Sequence, residues 1–184
     1  MQWLNLRRVS APLDSVVSLA EAKRHLNVFH NDDDTLINSL IEAATSYVEG
    51  PNGIGIALLT QTWRASFDHV PRSIPLPLGP VQAVVDISVA GTALDDDSYA
   101  VDLDLDAPLI VPAPGRSWPS ATPQPGVVKV TFRVGYGSDP EAVPMILRQA
   151  VLLLVGHYYA NKGDEEIEIP AAVNAILDRF RAQM

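Results

Sequence analysis

The chain has no cysteine among its 184 residues, which excludes disulfide bonds and thiolate chemistry. Long hydrophobic runs are missing too. The most apolar stretch, residues 145–159, is interrupted by Arg148 and His157 and is shorter than the roughly 20 residues that span a bilayer. We find no apolar signal segment near the start.

Positive charge is scarce, because 22 acidic residues outnumber 13 Lys and Arg and give a formal net charge of −9. A basic, free-standing DNA-binding domain is therefore not expected.

The first third of the chain predicts two amphipathic helices. Ser18 and Glu21 form a capping-box signature, and apolar residues continue at helical spacing as far as Phe29. The acidic run at residues 31–34 offers N-cap oxygens to a second helix. The apolar stripe of that helix runs over residues 36–48. The short link predicts that the two helices pack as a hairpin.

Residues 58–134 change to the pattern of strands. Alternation in residues 61–67 places Trp63 on the apolar side of a strand, and a series of prolines then forbids a helix. Further strands are predicted at residues 81–89, 99–103 and 127–134. Residues 112–125 are rich in Pro and Ser and predict an exposed loop that carries Trp118.

The last third predicts two more helices. Either Asp139 with Pro140, or Pro144, starts a helix that is apolar on most sides. Pro170 opens a last helix with arginines at its negative end. The apolar face of this last helix consists of Val173, Ile176, Leu177 and Phe180. The predicted fold is therefore α+β, with a four-helix core (two N-terminal and two C-terminal helices) and an inserted antiparallel β region.

One acidic triplet invites a metal site, because hard cations prefer several oxygens close together. Asp102, Asp104 and Asp106 have this spacing, but Ala107 and Ala113 stand where an EF-hand loop needs glycine and glutamate. A solvated acidic stripe explains the triplet more simply. A small metal-dependent hydrolase that uses the triplet remains an alternative function.

The other candidate sites favour structural explanations. Capping of the second helix accounts for Asp32–Asp34. No zinc-site spacing occurs among the four histidines, His25, His30, His69 and His157. We find no nucleophile elbow and no complete nucleotide fingerprint. We therefore predict no catalytic, cofactor or metal site, and hence no enzyme.

Trp118 has two interpretations. Tryptophans in polar loops are enriched at protein contacts, but Trp118 can equally fold back over its own strands. A monomeric β-rich binding module whose ligand meets Trp118 is a further alternative function.

Several separated phrases occur together in one order. They are L-A-E-A-K-R-H-L at residues 19–26, D-D-T-L-I-N-S-L-I-E-A-A at 33–44, Q-T-W at 61–63, G-Y-G at 135–137 and V-P-M-I-L-R-Q-A at 143–150. With these phrases the chain resembles the head–tail connector (adaptor) proteins of tailed bacteriophages and of phage-derived gene transfer agents. It departs from them at Asn27 and Lys162, where arginine is usual.

The resemblance implies a structural protein. Such proteins form rings, commonly of twelve subunits, between the capsid portal and the stopper or tail-terminator protein. The ring extends the DNA channel at the particle neck. The acidic charge of this chain predicts a path along which DNA passes without specific binding. The absence of cysteine suits assembly in the bacterial cytoplasm, and the lack of a long apolar run predicts no membrane association. The length fits a single adaptor domain over residues 1–184. In that domain the helical core covers about 18–50 and 140–182, and the β insertion about 58–135.

The resemblance also implies contact residues. The C-terminal helix of similar proteins engages the portal, which here points to Ile176, Leu177, Arg179, Phe180, Arg181 and Met184. Contacts between subunits or with the tail are predicted for Trp118, Arg7 and Arg8.

Overall fold

The chain divides into two compact units in the computed structural model, which describes residues 5–103, 108–162 and 168–181. The helical unit comprises Pro12–Leu59 and Tyr136–Met184, and the β unit comprises Met1–Ala11 and Thr60–Gly135. Four α-helices and antiparallel sheets form in the described residues. The predicted α+β class is thus confirmed.

All four helices lie in the helical unit: α1 Leu19–Leu26, α2 Asp34–Val48, α3 Met145–Ala160 and α4 Ala171–Arg181. The predicted capping box is confirmed, because the hydroxyl of Ser18 accepts from the backbone N–H of Glu21 and the Glu21 carboxylate accepts from that of Ser18. Helix α1 ends earlier than its pattern predicted. Asn27 adopts a left-handed conformation with φ of 57°, which breaks the helix before Phe29. Phe29 therefore does not join the apolar face and is 86% exposed.

The core of the helical unit is built from the predicted stripes of α2, α3 and α4. Helix α3 buries residues on several sides, as its nearly continuous apolar sequence predicted. The largest fully buried side chains of this core are Ile37, Leu58, Leu147, Leu154 and Leu177. Burial of such a side chain stabilises the fold by about 1.5–3 kcal/mol.

The β unit contains eight strands among its described residues: β1 Asn5–Ser10, β2 Gln61–Phe67, β3 Ile74–Pro75, β4 Val81–Val89, β5 Thr92–Ala93, β6 Tyr99–Asp102, β7 Leu109–Pro112 and β8 Val128–Val134. They form a five-stranded sheet in the order β1-β2-β8-β4-β5 and a three-stranded sheet in the order β3-β7-β6. The sequence analysis missed strands β1 and β7 and the two-residue strands β3 and β5. The predicted strands at β2, β4, β6 and β8 are present.

The long central pairing joins β2 to β8, which are distant in sequence. Trp63 lies opposite Phe132 and Ala65 opposite Val130, and all four side chains are buried. Residues directly opposite each other share one face of a sheet. One face of β2 and β8 is therefore apolar and buried, whereas the other carries Thr62, Arg64, Ser66, Lys129, Thr131 and Arg133.

The segment Thr60–Gly135 leaves the helical unit and returns to it at one place. Leu59, the last residue before the β unit, forms a parallel bridge with Gly137, just after it. The backbone N–H of Tyr136 also donates to the carbonyl oxygen of Leu58 at 3.1 Å. The two ends of the segment Thr60–Gly135 are therefore held side by side.

Candidate interaction surfaces

Helix α4 has a buried face and an exposed face. Val173 and Leu177 are fully buried in the core of the helical unit, and Ile176 and Phe180 pack against it while remaining partly exposed. Leu177, a predicted portal contact, thus lies in the core of its own unit. The accessible apolar surface of α4 comes from Ile176 and Phe180.

The exposed end of α4 carries two arginines. Arg181 donates to the carboxylate of Asp178 at 2.8 Å, which partly neutralises its charge. Arg179 is exposed, and no ion pair involves it within the part of the chain that is described. Met184, also predicted to contact the portal, lies outside the described residues. The most available positive charge near the end of the described chain is therefore that of Arg179.

Helix α1 is held on the helical unit by a partly buried ion pair. The guanidinium of Arg148 on α3 donates to the carboxylate of Glu21, with the two side chains 19% and 27% exposed. Burial acts to raise the pKa of Glu21, but the hydrogen bonds from Ser18 and the charge of Arg148 outweigh it and lower the pKa. The same carboxylate thus caps α1 and anchors it to α3.

The acidic run before α2 acts differently from the prediction. Asp33 occupies the N-cap position but makes no capping hydrogen bond through its side chain, so the capping explanation is wrong for this residue. The hydroxyl of Tyr159 donates to its carboxylate instead, and with the nearby charge of Lys162 this lowers the pKa of Asp33. Asp34 accepts from Lys23 at 2.6 Å. The acidic run therefore ties the start of α2 to α1 and α3.

The predicted contact residues of the β unit lie in two places. Arg7 and Arg8 are exposed on β1, at the edge of the five-stranded sheet. Trp118 lies in a loop, is partly exposed, and donates its indole N–H to the carbonyl oxygen of Arg72 at 3.2 Å. This hydrogen bond fixes the ring against its own unit while part of it stays accessible.

The acidic triplet is only partly described. Asp102 ends β6 and is exposed, whereas Asp104 and Asp106 lie outside the described residues. Elsewhere in the described chain, no group of three His, Asp or Glu residues is arranged to hold a metal ion. None of the described helices has the length and apolar character needed to cross a bilayer.

Three large apolar side chains of the helical unit are unusually exposed, and the sequence analysis did not predict their exposure. Leu13, Phe29 and Met145 are 102%, 86% and 80% exposed. Leu13 follows a proline in an irregular segment, and Met145 is the first residue of α3. Only the exposure of Phe29 had a signal in the sequence. That signal is Asn27, because asparagine commonly ends a helix in a left-handed conformation.

Comparison with known proteins gives two kinds of match. The family model described as "Phage gp6-like head-tail connector protein" matches residues 16–93, which include α1, α2 and the strands as far as β5. No curated protein sequence matches the chain significantly.

Solved structures match nearly the whole chain. A chain of the neck of an empty gene transfer agent (GTA) particle, computed with C6 symmetry, is 27% identical, with a TM-score of 0.80 and coverage of 97% of this chain and 95% of that one. A chain from the virion of a native GTA particle is 26% identical, with a TM-score of 0.77 and the same coverage. A chain from the neck of a native GTA particle, computed with C12 symmetry, is 25% identical at a TM-score of 0.72, again with that coverage.

The proteins that the chain matches are structural components of a virion neck and not enzymes. The predicted resemblance to head–tail connector (adaptor) proteins is thereby confirmed, and the matches support the predicted structural head–tail adaptor role. The metal-dependent hydrolase and the monomeric binding module are not favoured by any of them.

Proposed function

We propose that this protein forms a homo-oligomeric ring of twelve copies between the capsid portal and the stopper or tail terminator, and that DNA passes through the ring. The observation that carries the proposal is the match to the GTA necks over 97% of this chain. Those necks were computed with C6 and C12 symmetry, which supports a homo-oligomeric ring. Both units act in it as the single adaptor domain expected from the sequence.

The ring requires two different surfaces on each subunit, because head-to-tail contacts around a circle never join a patch to itself. Arg7 and Arg8 on the edge strand β1 and the accessible side of Trp118 are candidates for one of these surfaces or for the tail contact. The exposed apolar side chains Phe29 and Met145 add candidates in the helical unit, since exposed large apolar groups mark contact sites.

Helix α4 is the proposed portal contact, through Arg179, Arg181 and the accessible parts of Ile176 and Phe180. Leu177 supports this contact from inside, because its burial holds α4 on the helical unit. Removal of the whole helix is therefore a poor test: it would also take Val173 and Leu177 out of the core.

Electron microscopy of the purified protein mixed with the portal from the same gene neighbourhood tests the proposal. We expect a ring of this protein stacked on the portal. Arg179→Glu should weaken that association, whereas Arg72→Glu, the same charge reversal at an exposed site of the β unit, should not. No stacked ring from two folded partners would overturn the ring proposal. Equal effects of the two variants would overturn the assignment of α4.

A further inference from the structure

The outer face of the five-stranded sheet concentrates positive charge, although the whole chain has a net charge of −9. We use this name for the side of β2 and β8 opposite the buried one; its members are Thr62, Arg64, Ser66, Lys129, Thr131 and Arg133. Three of the six are cationic, and all three are exposed.

The strand register places these cations next to one another. Lys129 lies opposite Ser66 and Arg133 opposite Thr62, while Arg64 lies between them opposite Thr131. Neighbouring strands are about 4.8 Å apart, so the three charges form one cluster. On the other side of Arg64, Arg7 of β1 lies directly opposite and extends the positive charge to the sheet edge.

Little in the sheet neutralises this cluster. The described strands β1, β2, β4 and β8 contain a single acidic side chain, that of Asp86. Asp86 lies on β4, opposite Thr131 of β8. Within the described part of the chain, Arg64, Lys129 and Arg133 form no ion pair. Arg64 donates from Nε to the hydroxyl of Thr131 at 3.1 Å, which leaves its other N–H groups available. Like charges directly opposite each other, such as Arg7 and Arg64, destabilise a sheet, so the fold tolerates a cost here.

The remaining positions of the face distinguish between kinds of anionic partner. They carry the hydroxyls of Thr62 and Ser66, which are partly exposed, and that of Thr131, which is 6% exposed and accepts from Arg64. None of these side chains is aromatic or a large aliphatic one. The centre of a protein–protein interface is normally apolar and poor in charge. Phosphate groups of DNA, in contrast, are contacted by Arg and Lys together with Ser and Thr hydroxyls.

We propose that the outer face of the sheet binds the phosphate backbone of duplex DNA without reading its base sequence. The acidic remainder of the chain does not prevent this, because charges more than about 10 Å away are largely screened at 0.1 M salt. The inference adds a DNA contact to the adaptor role. It rests on the face itself and not on formation of a ring.

Titration of the ¹⁵N-labelled full chain with a random-sequence duplex at about 0.1 M salt, where the distant acidic groups are screened, tests the proposal by NMR. Amide shifts should concentrate in β1, β2 and β8. The salt dependence of binding should have a log–log slope of about −3 to −4 for four phosphate contacts. The variant Arg64→Gln/Lys129→Gln/Arg133→Gln should lose most of the affinity and bring the slope towards about −1.

The matched control is Arg72→Gln/Arg116→Gln/Arg179→Gln, which removes the same charge from exposed sites outside the face. It should bind as the unchanged chain does, and thermal unfolding should show that both variants are folded. Equal losses in the two variants would overturn the proposal. So would the absence of shifts at duplex concentrations up to about 1 mM, above the usual range for non-specific binding. Self-association that disappears in the face variant, without DNA binding, would reassign the face to a second copy of the chain.

Discussion

Replacement of Glu21 tests how α1 is held on the helical unit. Helix α1 has eight residues and buries only Ala22 fully, so it depends on polar anchors more than the longer helices do. The Glu21–Arg148 pair is 27% and 19% exposed. Exposed ion pairs contribute about 0–1 kcal/mol, whereas breaking a fully buried pair costs about 3–5 kcal/mol. An intermediate value of about 2 kcal/mol is therefore expected for Glu21→Gln, which removes the charge but keeps an acceptor for Ser18.

Glu21→Ala removes the capping interaction as well. Loss of a cap costs about 1 kcal/mol, so the expected total is about 3 kcal/mol. Because urea m-values are about 1–3 kcal/mol/M, the Glu21→Gln midpoint should fall by about 1 M. The assay is circular dichroism at 222 nm, which follows the helices. In a Trp3→Phe background, fluorescence follows Trp63 and Trp118, both in the β unit. The fluorescence transition serves as the internal control.

A double-mutant cycle decides whether the pair itself is responsible. Arg148→Met alone should cost about as much as Glu21→Gln, and the double variant should cost little more than either single one, because residues in direct contact couple. Fully additive losses would refute the reasoning. Unchanged 222 nm midpoints in both single variants would do so as well.

Three further predictions concern the helical unit. Leu177→Ala should destabilise it by about 2–5 kcal/mol, because it leaves a cavity in the core; Ala175→Ser, at an exposed site of the same helix, should change the urea midpoint little. Acid should also destabilise the unit, because the pKa values of Glu21 and Asp33 are lower in the folded chain than their unfolded values of 4.5 and 3.8. The stability that results is complete above the unfolded pKa values and is lost as the pH falls through the folded pKa values. Urea midpoints at pH 7, 5, 4 and 3 measure this loss, and Tyr159→Phe should reduce it; a midpoint independent of pH contradicts the assignment. Gly53→Ala should destabilise by about 1–3 kcal/mol, since the added Cβ would lie 2.2 Å from the Val48 carbonyl oxygen. Asn52→Ala in the same turn is its control, and equal melting temperatures for the two variants would contradict the clash.

Much of the fold was predictable because its signals are local. The Ser18–Glu21 box and the apolar stripe of α2 mark helices within a few residues of sequence. The alternation in residues 61–67 marks a strand in the same way. These elements agree with the structure because the conformation that their sequence favours locally also buries their apolar residues in the core.

The missed elements lack such signals. Strand β1 is exposed over most of its length, so the sequence N-L-R-R-V-S shows no alternation of apolar and polar residues. Strand β7 has only four residues and ends at a proline. It was not predicted because it is short and runs into a Pro-rich region. Phe29 was placed in a helix because periodicity alone does not report the left-handed Asn27.

The candidate surfaces were less predictable than the helices. The positive cluster of the outer face arises from pairing between residues such as Arg64 and Thr131, which are 67 positions apart. No short stretch of sequence contains all of these residues, and the net charge of −9 gives no sign of a local positive cluster. Asp33 likewise looked like a helix cap, since its partner Tyr159 lies 126 positions away.

The bridge between Leu59 and Gly137 makes the helical unit a natural acceptor for grafted domains. Whatever lies between these two positions begins and ends side by side, so its length has little effect on the helices at its base. Doubling the length of a flexible loop costs only about 0.6 kcal/mol. One helical framework can therefore carry β segments of very different sizes. If residues 60–135 and the N-terminal strand were removed, a foreign domain could be inserted between Leu59 and Gly137, provided that its own termini lie close together.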